Sequence, residues 1–266
     1  MLSLIKKNAV LSRVAYRYFN YKIAKKQYRE NQDVLHNLEK WKNIHNGARC
    51  FIIGTGPSLT IEDLELLKDE ITFGTNRIYE LFDATKWRPT YYINQDSYLI
   101  KTFADTISNI ECEARFIPVT FRNLFPIRGM EFFLLKEKEY YPKKAPFSID
   151  ISKYIAQGFT VTYGAIQLAI YMGFKEIYLL GVDHNYNISR DAKGNIVRNE
   201  DTEKNYTKGL RDNINNGNLP RIEETTIAYE TADIVSRQKG VRVYNATRGG
   251  KLDAFERVDL DKLFSK

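Results

Sequence analysis

The stretch Arg49–Leu59, RCFIIGTGPSL, constrains this chain more than any other. Cys50, Phe51, Ile52 and Ile53 form a short apolar run that stops at Gly54-Thr55-Gly56-Pro57-Ser58. An apolar run ended by glycines predicts a buried parallel strand entering a tight turn. The following TIEDLELLKDE is acidic early and apolar at helical spacing, which predicts a helix starting near Pro57 or Thr60. Strand, glycine turn and helix start together would turn backbone N–H groups toward a phosphate. No Gly-Lys-Ser/Thr follows, so this is not a Walker loop, and Leu59 stands where the third glycine of a dinucleotide fingerprint belongs. Two readings stay open: a turn that holds a nucleotide phosphate, and a plain tight βα turn.

From Arg49 onward strands and helices alternate. Ile71–Gly74, Thr90–Asn94, Phe116–Thr120 and Phe132–Leu135 read as strands, and Val161–Met172 as an apolar helix leading through Gly173 to the strand Glu176–Gly181. Glu223–Lys239 reads as a helix and Val241–Asn245 as the last strand, with Leu252–Phe264 ending the chain. This alternation predicts an α/β fold, a mostly parallel twisted sheet with helices on both faces, Rossmann-like. In such sheets ligands bind beyond the carboxyl ends of the strands, where Thr55, Ser58, Thr75, Asn76, Asn94, Asp96, Asp183 and His184 fall. Residues 185–220 are polar, charged and rich in Asn and Gly, and read as a mobile lid.

With 266 residues the chain can bury a substantial core. It has no apolar run of the ~18 residues or more that a membrane span needs. Lys6 and Lys7 interrupt the first apolar stretch, which argues against a signal peptide. Cys50 and Cys112 match no metal spacing and suit a reducing compartment; a cytoplasmic protein is expected. The net charge is +7, but residues 1–29 hold eight Lys and Arg and no acid, which leaves residues 30–266 at −1. A nearly neutral body argues against nucleic acid as a partner. Residues 1–29 read as a helix in which Leu4, Leu11 and Tyr18, and Val14, Tyr21 and Tyr28, recur seven apart beside the basic residues. Such a helix suits an anionic membrane, where each Lys or Arg adds ~1 kcal/mol. It equally suits packing on the body or on a second subunit of a homo-oligomer.

The order GTGPSL, GTNRIY, YYINQDSY, GFTVTYGAIQLAIYMGFKEIYLLGVDHNY and VYNATRGGKLDAFERV resembles bacterial surface-glycan glycosyltransferases whose domain is described as 6-hydroxymethylpterin diphosphokinase-like. It is also similar to the bacterial sialyltransferases of glycosyltransferase family 42. The likeness covers roughly residues 48–262. It leaves the basic helical extension, taken as 1–47, unmatched and implies a nucleotide-sugar-binding transferase domain over 48–266. The implied reaction moves a sugar, from a CMP-activated acidic donor such as a sialic-acid-like or Kdo-like residue, to a hydroxyl of a surface polysaccharide or glycolipid, without a metal. By position, Gly54, Thr55, Gly56, Pro57 and Ser58 would hold the nucleotide phosphate or ribose. Asn76 and Asn94 would meet nucleotide and sugar, and Thr160, Val161 and Thr162 the base or the sugar carboxylate. Two departures stand out: Thr55 replaces the family's Asn, and no His lies near Glu223, where the sialyltransferases carry one.

Sugar transfer needs a held leaving phosphate, a stabilised cationic sugar and a base for the acceptor hydroxyl. Tyr186 and Tyr206 could donate to the phosphate, with Lys208 and Arg211 acting electrostatically; all four equally suit a solvated surface loop. For the base, His184 has a strand-end position and a pKa near neutrality; Glu223 and Glu224 occupy the sialyltransferase base segment, where they would also suit a helix N-terminus. Asp183 suits hydrogen bonding within its loop. Asp259-Leu260-Asp261 reads as solvated helix charge, and neither a metal nor another cofactor is called for. The alternatives are a diphosphokinase passing pyrophosphate from ATP to a pterin-like alcohol, with Asp96 and Asp183 as Mg²⁺ carboxylates, and a non-catalytic nucleotide-sugar-binding protein at the inner face of the membrane.

Overall fold

A computed structural model describes residues 18, 21–126, 128–186, 188–190, 196–198 and 220–265. It begins with a basic helix, α1 (21–30), followed by α2 (Gln32–Leu35) and a 3-10 segment that bury Val34, Leu35 and Leu38. Next come β1 (Arg49–Ile53), α3 (Ile61–Leu66), β2 (Thr72–Thr75), β3 (Tyr91–Ile93), α4 (Ser97–Thr102), α5 (Ala104–Ser108), β4 (Ala114–Pro118) and β5 (Met130–Phe133). The short strands β6 (Leu135–Lys136) and β7 (Ile155–Ala156) precede α6 (Val161–Met172) and β8 (Glu176–Leu180). A hairpin, β9 (Ile188–Arg190) with β10 (Ile196–Arg198), is followed by α7 (Ile222–Gln238), β11 (Arg242–Asn245), β12 (Glu256–Arg257) and α8 (Leu260–Phe264).

Eight strands form one sheet in the order β12-β11-β8-β1-β2-β3-β4-β5, and every pairing in it is parallel. Parallel neighbours need crossovers that cover both faces, so the central strands are apolar throughout. In β1, Cys50 and Ile52 point into one core with α6 and α7, while Phe51 and Ile53 point into the other with α3, α4, α5 and α8. Tyr178 of β8 stacks between Phe51 and Tyr244 at 5.1 Å from each, joining β1, β8 and β11 on one face. α6 is buried along nearly its whole length and stops at Gly173, which takes the left-handed conformation (φ 96°). Small residues at Gly164, Ala165 and Ala169 let it lie close to the sheet.

β1 sits between β8 and β2, so the chain leaves it in opposite directions across the sheet. That makes the β1/β8 boundary the topological switch point, with the loops after both strands side by side.

Some elements differ from the sequence reading. Of the two starts expected for the helix after the glycine turn, the structure takes the later: Thr60 is the cap and Ile61 the first helical residue, Thr60 accepting from Asp63 N–H while the Asp63 carboxylate accepts from Thr60 N–H. This reciprocal box satisfies the helix start internally and adds Glu62 and Asp63 to it, so Gly54–Ser58 is separated from α3 and no helix terminus is offered to a phosphate there. β6, β7 and β12, of two residues each, are too short to leave a pattern in sequence. Of the stretch 185–220, read as having no elements, the described part contains the β9–β10 hairpin; the remainder of that lid, with Tyr206, Lys208 and Arg211, lies outside the described residues, as does most of the head before residue 21. No described helix is long and apolar enough to cross a membrane.

Candidate functional site

The two switch-point loops are joined to each other. Gly54 and Gly56 donate backbone N–H bonds to Leu180 and Gly181 carbonyls, 2.8 Å each. Ser58 donates its hydroxyl to Asp183 Oδ2 at 2.8 Å and directs its N–H to the same oxygen at 3.4 Å. Asp183 in turn accepts from Lys251 N–H through its backbone carbonyl at 2.7 Å. A Cβ on Gly54 would overlap the Gly181 carbonyl oxygen, and one on Gly56 would overlap Asp183 Oδ2 and lie 2.7 Å from Gly181 O. The glycines are therefore required for the approach of two loops. Thr55 is buried beside them. An internal carboxylate already sits where Ser58 could receive an anion, which favours the tight-turn reading over the phosphate-turn reading. Gly54–Ser58 and Asp183 do not line the large cleft described next.

That cleft, about 1830 Å³, opens beyond the carboxyl ends of β2 and β3. Asn76, Asp96, Thr160, Val161 and Tyr186 share its wall. Asn76 follows β2 in the left-handed region (φ 48°), which Asn tolerates better than other non-glycine residues. Tyr92 OH donates to the Asn76 carbonyl at 2.6 Å and fixes that conformation. The Asn76 side-chain oxygen is buried and without a partner, as is that of Gln95 on the same wall. Unsatisfied buried acceptors are costly, and here two of them belong to residues of one cleft.

Asn94 behaves differently. It is fully buried, donates to the Tyr92 hydroxyl oxygen at 2.9 Å and accepts from Asp96 N–H at 2.8 Å. Its amide holds the turn after β3 and reaches the cleft only through its neighbours. The Asp96 carboxylate accepts from Tyr98 and Leu99 N–H, capping α4. Both groups expected at a ligand are thus engaged in the turn.

Thr160 is the N-cap residue of α6, yet its side chain makes no capping bond and the first turn contains no acid. Its hydroxyl instead lies 3.3 Å from Tyr229 OH. Burial raises the Tyr229 pKa, countered by bonds to Thr160 and to the buried Thr162. The N-terminus of a 12-residue helix thus keeps free backbone donors beside the cleft.

His184 sits behind this wall, in the left-handed region (φ 50°), with its ring edge-on to Tyr229 at 5.6 Å and to Tyr186 at 6.0 Å. Its Nε2 lies 2.8 Å from Thr226 Oγ1, whose own hydrogen is donated to the Ile222 carbonyl at 2.8 Å. With that hydrogen turned to Ile222, Nε2 carries the proton and Nδ1, buried without a partner, presents its lone pair. Burial also lowers the His184 pKa, keeping the ring neutral. A neutral imidazole with one free nitrogen is equipped to accept a proton.

The alternative bases are placed less well. Glu224 is bonded to Arg221 at 2.6 and 2.9 Å and its backbone carbonyl accepts from Tyr140 OH at 2.7 Å. Arg221 also grips Glu139 with two bonds of 2.9 Å, which hold the Glu139 carboxyl below its usual range. The carboxylates that Arg221 engages are thus taken up in ion pairs within the fold. Glu223 is exposed on the first turn of α7.

Sequence reasoning missed Gln95, Thr226 and the wall formed by α1 and residues 134–144. The tyrosine- and lysine-dense KEKEYYPKK at 136–144 was the available signal for that wall.

The fold is similar to that of the MAf glycosyltransferase from Magnetospirillum magneticum AMB-1, with a TM-score of 0.50 and 16% identity over 88% of this chain. This chain spans 39% of that protein's length. The sialyltransferase CstII from Campylobacter jejuni, solved in complex with a substrate analogue, cytidine-5'-monophosphate, aligns over 80% of this chain and 85% of its own at 15% identity, with a TM-score of 0.42. No curated protein sequence matches. The family described as 6-hydroxymethylpterin diphosphokinase MptE-like matches residues 24–189, more than half of the chain, from α1 through β8 into β9. The chain belongs to the MptE-like family.

Proposed function

We propose that this chain is a glycosyltransferase that takes an acidic sugar from a CMP-activated donor and passes it to a hydroxyl of a glycan or lipid-linked acceptor. The observation that carries this is the wall of the cleft: the partnerless Asn76 oxygen and the uncapped start of α6 lie on one concavity beyond the strand ends. A neutral amide acceptor suits the donor groups of a nucleobase or sugar hydroxyl, and free helix N–H groups suit a carboxylate or phosphate. His184 acts as the base through Nδ1, reached past Tyr186, and Tyr186 donates to the leaving phosphate. The reaction runs without a metal. The protein works in the cytoplasm, at the inner face of the membrane where a lipid-linked acceptor is offered.

The family's description supports a second reading, transfer of pyrophosphate from ATP to a pterin-like alcohol. Mg²⁺ for that reaction would draw on carboxylates, yet Asp96 caps α4 and Asp183 holds Ser58. A thermal-shift panel with CMP, UMP, GDP and ATP, each with and without Mg²⁺, decides between them. Stabilisation by CMP independent of Mg²⁺ is expected; stabilisation by ATP only with Mg²⁺ would favour the diphosphokinase. His184→Ala should then lower turnover by ~10²–10⁴-fold and leave CMP affinity unchanged.

A further inference from the structure

The cleft is larger than the ~300–1,000 Å³ of an ordinary small-molecule site, and its lining is chemically mixed. Besides Asn76 and the start of α6 it is lined by α1 and the segment 136–144, whose Lys136 pairs with β7 and whose Tyr140 packs on Phe159 just before α6. On α1, Tyr21, Lys25 and Tyr28 fall at positions that share one helix face and line the cleft, with Tyr21 59% and Tyr28 39% exposed. Two of the three tyrosines of the stripe seen in the sequence, Tyr21 and Tyr28, are thus turned into a concavity. The same cleft is lined by Lys138, Lys143 and Lys144, all exposed and without an ion pair among the described residues. Of the acids in this segment, Glu139 is held by Arg221 and Glu137 is exposed among the lysines, which outnumber it. Lysines gathered in a concave wall focus a positive potential, while tyrosine faces offer apolar area with a polar rim. The C–H face of a sugar ring fits the second and an acidic substituent fits the first.

We propose that the part of the cleft lined by α1 and residues 136–144 is the acceptor subsite and that it takes a sugar bearing a phosphate or carboxylate. The name acceptor rests on the glycosyltransferase reading; the binding of an acidic sugar does not. The full chain is titrated calorimetrically with a hexose 1-phosphate and with the parent hexose, and separately with CMP. The same titrations are made on Lys138→Gln/Lys143→Gln/Lys144→Gln and on Tyr28→Ala. The phosphorylated sugar should bind at least about tenfold tighter than its parent, and the lysine variant should lose about tenfold for it while CMP binding stays unchanged. Tyr28→Ala should weaken both sugars together. Equal binding of the two sugars, or phosphate binding indifferent to the lysines, overturns the proposal. CMP binding that fails in the wild type while the sugar phosphate still binds through the lysines removes the glycosyltransferase reading and leaves the acidic-sugar site. A vesicle arm separates the source of the anion. Lysine-dependent sedimentation with phosphatidylglycerol vesicles, together with no binding of soluble sugar phosphate, would show a lipid surface in place of a sugar and also overturn the proposal.

Discussion

Replacing Thr226 by Val removes one hydroxyl and little volume, and tests how His184 is held. In the wild type Nε2–H donates to Thr226 Oγ1 at 2.8 Å, and Nδ1 is bare. Without the hydroxyl, Nε2–H is left unpaired in a half-buried site, at about 1–2 kcal/mol, toward the low side of the range for orphaned donors. For a chain of this size that corresponds to a melting temperature lower by about 2–8 °C. The pH dependence has a definite sign. Burial lowers the folded pKa of His184 from 6.5, so between that lowered value and 6.5 the unfolded chain binds more protons. Stability therefore rises with pH through this window, is fully present above 6.5 and is lost as pH falls through the folded value. An imidazolium needs the Thr226 acceptor more than a neutral ring does, so Thr226→Val lowers the folded pKa further and extends the window toward lower pH. His45 is also lowered by burial, partly countered by Glu113, and contributes the same sign to every variant. The difference between wild type and Thr226→Val isolates His184. Nitrogen-15 NMR of labelled histidine reads the tautomer directly: protonated Nε2 and bare Nδ1 in the wild type, a mixed or reversed pattern in Thr226→Val, and recovery in Thr226→Ser. A wild-type proton on Nδ1, or a valine variant unchanged in both melting and tautomer, would refute the reasoning.

Gly56→Ala places a methyl against Asp183 Oδ2 and Gly181 O, and should destabilise by about 1–3 kcal/mol or more, read by urea unfolding. Wild-type stability would mean the two loops separate freely. Asp183→Asn keeps the size but turns an amide toward Ser58; about 1–3 kcal/mol of stability should be lost at neutral pH, and a silent substitution would count against the Asp183–Ser58 contact as a structural tie. Asn76→Ala and Asn94→Ala should separate cleanly. Asn76→Ala weakens donor binding by about 1–3 kcal/mol, because its oxygen has no internal partner, and lowers stability by about 1 kcal/mol through the strain of an alanine at φ 48°; Asn76→Gly, which accepts that φ, weakens binding without this strain. Asn94→Ala lowers melting first, because both ends of its amide are engaged inside the fold.

The repetitive physics of the sheet made most of the fold legible. Apolar runs closed by Gly or Asn marked β1, β2, β3 and β8 to within a residue or two, and the buried helix Val161–Met172 carries its own left-handed stop at Gly173. The eight-stranded parallel sheet agrees with the predicted α/β class. What sequence could not show was pairing between distant loops. GTGPS looks the same whether its glycines admit a phosphate or admit Asp183, 125 residues away in sequence from Ser58. Asn76 and Asn94 are equally placed after strands, and only the packing of Tyr92 between them leaves one amide open and closes the other. The helix start at Thr60 was one of the two expected, but TIED reads as a plain acidic first turn as well as a self-contained cap, so the reciprocal Thr60–Asp63 box was not legible. The long cleft wall from α1 to residue 144 unites segments more than 100 residues apart in sequence, so no local pattern announces it.

The central claim is that the cleft turns over a nucleotide-activated sugar. It is tested most directly by incubating the protein with a CMP-linked acidic sugar, without acceptor and with EDTA present, and measuring the CMP released. The account predicts slow release that proceeds without metal, falls in His184→Ala and Asn76→Ala, and quickens when a phosphorylated sugar acceptor is added. No release from any nucleotide sugar, with AMP formed instead from ATP, Mg²⁺ and a hydroxymethylpterin, would contradict it.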